Sequence, residues 1–90
     1  MAITKAEALA RLDTLEDTNY ATDYEENLGF ETDVLPYIKL AKELGVEDNE
    51  KFQSMIKAIK ERPVYRNITF RQLDNIRNFL KDQVDNIFKN

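Results

Sequence analysis

A chain of 90 residues with a formal net charge of −4, no cysteine and no histidine excludes several classes of function. It can form no disulfide and no thiolate or imidazole metal site, and it lacks the nucleophile–base pairs of most hydrolases. We therefore expect a single domain, residues 1–90, that is not an enzyme and holds no cofactor or metal ion.

The N-terminal residues bear on the location of the protein in the cell. They lack the apolar core of a signal peptide. No apolar run in the chain approaches the roughly 18 residues that a membrane span needs. The sequence therefore predicts a soluble, cytoplasmic protein with no membrane partner.

The predicted elements are all helices, because glycine and proline are scarce and the apolar residues recur with helical spacing. The expected spans, in chain order, are about residues 5–16, 19–28, 33–44, 50–62 and 70 onward. The expected N-terminal caps are Thr4 with Glu7, Thr32 or Asp33, Asp48 or Asn49, and Thr69 with Gln72. Gly29 and Gly45 are expected as left-handed C-caps, and Pro63 ends the fourth helix.

The last helix is expected to be the centre of the fold. Its apolar residues occupy one sector of a helical wheel. They are Phe70, Leu73, Ile76, Leu80, Val84, Ile87 and Phe88. This pattern predicts an all-α fold, a small bundle of about five helices packed around a long C-terminal helix.

Two residues of that helix break its pattern. Arg77 lies inside the apolar sector, where its stem can follow the core while its guanidinium meets a carboxylate of the N-terminal half. Phe79 lies outside the sector. It is expected either to cover a neighbouring helix or to stay exposed as a docking ring.

Charge is distributed unevenly along the chain. Residues 1–50 hold 13 acidic and 4 basic residues, a net charge of −9, and residues 51–90 hold 4 acidic and 9 basic residues, a net charge of +5. Residues 12–36, here called the acidic segment, contain eight carboxylates and no base, whereas residues 51–71 contain six bases and one acid. The two halves either neutralise each other or leave two oppositely charged surfaces for recognition.

Aromatic rings are interspersed among these carboxylates. Carboxylates attract a basic partner over long range, and rings supply the dehydrated contacts that hold it. The pattern predicts a protein-binding surface made of Tyr20, Asp23, Tyr24, Glu25, Glu26 and Phe30. Two other interpretations are open: the rings pack on the last helix, or the carboxylates imitate phosphates and block a DNA- or RNA-binding protein. The acids fit no EF-hand calcium loop.

Residues 37–52, YIKLAKELGVEDNEKF, contain a small residue, Ala41, four places before a glycine, Gly45. Apolar residues surround this pair at positions 40, 44 and 46. The arrangement resembles the helix-turn-helix of bacterial and phage DNA-binding regulators. The second half departs from that pattern, because Lys51 and Ser54 stand where apolar residues belong and the apolar residues come one place late. A turn longer by one residue would restore the register.

The resemblance implies a DNA-binding surface on the second helix of the motif. The residues that would face a nucleic acid are Gln53, Lys57, Lys60 and Arg66. The negative charge of the N-terminal half opposes such binding unless it faces away from the phosphates.

Taken in order, these patterns favour a small, non-enzymatic interaction protein whose partner is a protein with a basic surface. It would inhibit or adapt a larger complex, as a phage-encoded or bacterial accessory factor. The alternative is a helix-turn-helix-like DNA-binding regulator that uses residues 37–62. A homodimer through the last helix is compatible with either function.

Overall fold

The described chain is helical. The computed structural model describes residues 3–20 and 28–89, and of residues 16–20 it describes the backbone alone. The elements are α1 (Lys5–Tyr20), a π-helical turn (Phe30–Val34), α2 (Leu35–Leu44), α3 (Glu50–Lys60) and α4 (Phe70–Ile87). The all-α prediction and the long C-terminal helix are confirmed. Within the described ranges, no helix combines the length and the apolar character that crossing a bilayer requires.

The predicted number of helices is wrong, since the described residues form four α-helices rather than five. The expected second helix began at residue 19, but Asn19 and Tyr20 belong to α1. At its other end, Leu28 and Gly29 are not helical, and residues 21–27 lie outside the described residues. Helix α1 passes its expected end at residue 16, and the next four residues contain no glycine or proline to interrupt it.

Three helices begin at the caps that the sequence predicts. In α1 the backbone N–H of Glu7 donates to Thr4 Oγ1 at 3.1 Å, and the Thr4 N–H donates back to Glu7 Oε1 at 3.3 Å. Thr69 and Gln72 form the same reciprocal pair at the start of α4, at 3.1 and 3.0 Å. For α3 the cap is Asn49, whose Oδ1 accepts from two backbone N–H groups.

The start of α2 differs from the prediction. Neither Thr32 nor Asp33 caps it, because the chain is already helical from Phe30 and runs through the π-helical turn into α2. The buried Asp33 carboxylate instead accepts from the Gly29 N–H at 2.8 Å. This is the return bond of a capping box, displaced by one residue in the wider π turn. Gly29 is extended, with φ −122° and ψ 151°, so its predicted left-handed conformation is wrong.

Gly45 ends α2 as predicted. Its φ of 76° is left-handed, and its N–H donates to the Lys42 carbonyl at 3.1 Å. The next residue, Val46, donates to the Ala41 carbonyl at 2.9 Å. These two bonds are the Schellman motif, which satisfies carbonyls that a helix end would leave unpaired. Pro63 is not helical, and α3 ends slightly earlier than expected, at Lys60.

Helix α4 is the centre of the fold, because it contacts α1, α2 and α3. Its buried residues are Leu73, Ile76, Phe79, Leu80 and Val84. The predicted sector is therefore confirmed along its middle, while Phe70, Ile87 and Phe88 at its ends are partly buried. Tyr37 of α2, which the sequence patterns do not assign to the core, is also part of it, since its side chain is completely buried.

Both residues that break the α4 pattern contact a neighbouring helix. The Arg77 side chain is only 12% exposed, its Nε donates to the Leu12 carbonyl of α1 at 3.5 Å, and its Nη2 lies 3.8 Å from Asp13 Oδ1. The predicted contact of Arg77 with a carboxylate of the N-terminal half is confirmed. Phe79 is buried and stacks on Phe52 of α3, with ring centroids 5.9 Å apart. It covers a neighbouring helix and is not a docking ring.

Candidate functional site

Most of the predicted protein-binding surface lies outside the described residues. This is the case for Asp23, Tyr24, Glu25 and Glu26, and of Tyr20 the backbone alone is described. Phe30 is described, and its ring is partly buried against the core. The ammonium group of Lys60 lies 5.7 Å from the centroid of that ring. The accessible part of Phe30 is therefore already in contact with a cation of the chain itself.

The described contacts between the charged halves leave much of the basic charge unpaired. Arg77 meets Asp13 of α1, but Asp13 remains 79% exposed. Arg11 pairs with Glu43, and both belong to the N-terminal half. By contrast, the bases Lys60, Arg66 and Arg71 form no ion pair with any carboxylate that the structure describes. The contacts among the described residues therefore leave these three bases of residues 51–71 without an acidic partner.

The residues predicted for nucleic-acid binding are accessible. Gln53, Lys57 and Lys60 are exposed on α3, and Arg66 is exposed in the connection that follows it. The three α3 residues line a shallow groove of about 360 Å³. Two of the side chains have other contacts as well: Gln53 donates to the Glu47 carbonyl, and Lys57 lies 3.9 Å from Glu61. We call the exposed bases Lys57, Lys60, Arg66 and Arg71 the basic face.

The helix-turn-helix resemblance is only partly reflected in the packing. In α2 the residues that match the pattern are buried, including Ala41, and Gly45 makes the turn. In α3 the buried residues are Phe52, Ile56 and Ile59, while Lys51 and Ser54 are exposed. The connection spans residues 45–49, and the apolar stripe of α3 comes one residue later than in the helix-turn-helix pattern.

A feature that the sequence did not reveal lies between α3 and α4. Residues 63–66, here called the tip turn, are closed by the Arg66 N–H, which donates to the Pro63 carbonyl at 2.9 Å. Val64 is fully exposed and Tyr65 is 81% exposed. Among the described residues, these two are the large apolar side chains that stand in solvent. The sequence patterns do not predict this exposure, because apolar residues outside a periodic pattern carry no signal of their direction.

Arg62 holds the tip turn in place. Its Nη1 donates to the Ile59 carbonyl at the end of α3 at 2.8 Å, and its Nε donates to the Arg66 carbonyl at 3.1 Å. A single planar guanidinium thus joins the last turn of a helix to the far side of the tip turn. The cation also lies at the negative end of the α3 dipole. The two exposed side chains are therefore presented on a braced loop.

No family model, curated protein or solved structure matches this chain. In the described part of the molecule, no three acidic side chains lie close enough to hold a metal ion. The chemistry that the described surface offers is charge attraction, hydrogen bonding by exposed bases and contact with one aromatic ring. These are means of binding a macromolecule.

Proposed function

We propose that the chain is a small, non-enzymatic helical protein of the cytoplasm that binds a partner protein with a basic surface. The binding residues are those of the acidic, aromatic surface: Tyr20, Asp23, Tyr24, Glu25, Glu26 and Phe30. It acts as an inhibitor or adaptor of a larger complex, of the kind that phages encode as accessory factors. The observation that carries the proposal is the separation of charge along the chain, which the described contacts of Arg77 and Arg11 do not remove.

On this surface the carboxylates and the aromatic rings make different contributions to binding. Eight carboxylates without a base raise the rate at which a basic partner is met, and this contribution weakens as salt is added. Tyrosine rings contribute most to affinity once water is excluded from them. Because Phe30 already contacts Lys60 and the core, Tyr24 is expected to matter more than Phe30.

The test of this proposal is the double substitution Tyr24→Ala with Glu25→Lys. It should release the partner recovered from native lysate and leave the helical circular dichroism unchanged. The matched control is Asn86→Ala with Asp82→Lys, which makes one truncation to alanine and one charge reversal at exposed residues outside the acidic segment and the tip turn. If both variants keep the partner, or both lose it, the acidic, aromatic surface is not the binding site. Competition between the partner and a nucleic acid would identify the protein as a nucleic-acid mimic.

Dimer formation through the last helix remains a prediction. The apolar sector of α4 packs on the other three helices, so a dimer would have to use other residues of that helix. The molecular mass in solution, measured over a hundredfold range of concentration, distinguishes a monomer from a dimer.

A second candidate function is binding of duplex DNA. It is favoured by the shared exposure of Gln53, Lys57, Lys60 and Arg66, the residues that the helix-turn-helix resemblance selects. Charge reversal by Lys57→Glu with Lys60→Glu should abolish salt-dependent binding to duplex DNA. The control is Lys39→Glu with Lys42→Glu, an equal change of charge at two exposed lysines of α2. Absence of duplex binding at low salt would remove this candidate.

A further inference from the structure

The tip turn presents an exposed aromatic ring, and three bases close to it in the chain have no described acidic partner. Tyr65 is 81% exposed, and Val64 beside it is fully exposed. Lys60 ends α3, Arg66 closes the turn, and Arg71 lies in the first turn of α4. We infer that the tip turn binds single-stranded nucleic acid, with Tyr65 stacked on an unpaired base and the three bases in contact with phosphates.

The Tyr65 ring lies on a turn whose conformation is fixed before any ligand binds. Arg62 joins the Ile59 and Arg66 carbonyls, so the turn that carries Tyr65 is fixed to the end of α3. A binding ring on a braced turn loses less conformational entropy on binding than one on a free loop. Arg62 is thus a positioning residue. Its guanidinium donates two hydrogen bonds within the fold, so Arg62 is not counted among the phosphate contacts. Lys60 is counted, because its ammonium group lies over the Phe30 ring and still has N–H donors to offer a phosphate.

The chemistry of the tip turn favours a nucleic acid over a protein partner. A stable protein interface buries about 800 Å² on each partner. The tip turn offers two large apolar side chains, which is far less than such an interface needs. Stacking of one base and pairing with a few phosphates require only a ring and nearby cations. These are the groups that this end of the molecule exposes.

The same groups favour a single strand over a duplex or a bilayer. A stacking ring needs the face of an unpaired base, which a duplex does not offer without unstacking. Peripheral membrane binding uses an apolar helix face, and the buried residues of α3 and α4 belong to the hydrophobic core. The inference shares Lys60 and Arg66 with the DNA-binding candidate, but it does not require duplex recognition or the helix-turn-helix register.

The experiment measures binding of the full chain to a fluorescein-labelled oligothymidylate of about 15 nucleotides, near the site sizes of known single-strand binders. Low and moderate salt are compared, and a duplex of equal length and anionic phospholipid vesicles serve as alternative probes. Tyr65→Ala should weaken single-strand binding roughly ten- to a hundredfold, and Tyr65→Phe should retain it. Three phosphate contacts predict a slope of about −2 in a plot of log affinity against log salt concentration.

A second readout reports stacking directly. The chain has no tryptophan, so Tyr65→Trp places a single tryptophan at the tip turn, and its emission is isolated by excitation at a wavelength that tyrosine does not absorb. Its fluorescence should be quenched as the oligothymidylate is added and restored by salt. A merely electrostatic role for the basic face would leave that emission unchanged.

Several results would overturn the inference. One is the absence of single-strand binding at low salt, and another is binding that Tyr65→Ala does not weaken. Duplex binding that is lost with Lys57→Glu and unaffected by Tyr65→Ala would overturn it and support the DNA-binding candidate instead. Binding to vesicles but not to the oligothymidylate would also overturn it, and loss of that vesicle binding with Tyr65→Ala would assign the tip turn to membranes. None of these results depends on the acidic, aromatic surface, so the proposed protein-binding function is tested separately.

Discussion

The connections on either side of α3 use their residues in opposite ways. In the first, residues 45–49, Gly45 and Val46 close the Schellman motif and Asn49 caps the next helix. Val46 also packs against the core. In the second, residues 61–69, Ile68 is buried and Thr69 caps α4, but Val64 and Tyr65 face water on a turn that one backbone hydrogen bond closes and Arg62 braces. The first connection uses its residues to end and cap helices, whereas the second exposes two large side chains that make no described contact with the fold.

This difference indicates which of the two connections is the better candidate for a binding site. The helix-turn-helix resemblance points to the first connection, but there Gly45 and Asn49 serve the ends of helices and Val46 packs against the core. Residues that have no folding role can be selected for binding without loss of stability. The two connections therefore predict separable effects: substitutions in the first should lower stability, and those in the tip turn should change binding alone.

The largest effect on stability is expected from Gly45→Ala in the first connection. The left-handed φ of 76° is unfavourable for any residue with a Cβ, although no atom lies within 4 Å of the position that the Cβ would occupy. The loss should be about 1–2 kcal/mol, caused by backbone conformation alone. Urea unfolding followed by circular dichroism measures it.

Gly29→Ala is the matched control, because Gly29 is extended and its added Cβ would meet Thr32 Oγ1 at an ordinary 3.7 Å. Here the smaller entropy of the unfolded chain should leave stability unchanged or raise it by up to about 1 kcal/mol. An equal loss of unfolding free energy in Gly29→Ala and Gly45→Ala would contradict the left-handed conformation at Gly45.

A somewhat smaller loss is expected from Asn49→Ala. Its side-chain oxygen accepts from the Lys51 and Phe52 backbone N–H groups at 2.9 and 3.2 Å. Removing this cap should cost about 1 kcal/mol, and Asn49→Asp should restore it because a carboxylate also accepts and favours a helix N-terminus. Asn67→Ala, at an exposed residue of the second connection, should leave the melting temperature unchanged. If Asn67→Ala lowered stability as much as Asn49→Ala, the two connections would not differ in their contribution to stability.

Local rules account for what could be predicted from the sequence. The Thr4 and Thr69 capping boxes depend on residues three apart, and the α4 sector depends on helical period, so both could be predicted without knowledge of the fold. The π turn before α2 could not, since Asp33 is an equally good cap by sequence and its burial depends on packing. Burial of Phe79 likewise required the position of α3.

The candidate sites were less predictable than the fold. The exposure of Lys57 and Lys60 followed from the amphipathic pattern of α3. Exposure of Tyr65 did not, because the direction of a loop side chain depends on how the turn is braced. The Arg62 bonds that brace it connect backbone carbonyls seven residues apart in sequence, and no residue pattern predicts them.

A still smaller change in global stability is expected from Arg62→Ala. The two side-chain hydrogen bonds lie near the surface, so their loss should cost about 0.5–1 kcal/mol. The local effect should be larger: hydrogen exchange at the Arg66 amide, which closes the tip turn, should accelerate relative to core amides of α4. Arg62→Lys keeps the charge but cannot bridge both carbonyls, so it should accelerate the same amide. Unchanged exchange in both variants would show that Arg62 does not brace the turn.

The smallest effect on stability is expected from the double substitution Val64→Ser with Tyr65→Ser. Both side chains stand in solvent, so their removal takes almost no apolar area out of the core, and the melting temperature should shift by less than about 3 °C. Thermal unfolding of this variant beside Gly45→Ala compares the two connections directly. A shift in melting temperature as large as that of Gly45→Ala would mean that the tip turn packs against the fold. The hypothesis that Val64 and Tyr65 serve binding rather than stability would then be wrong.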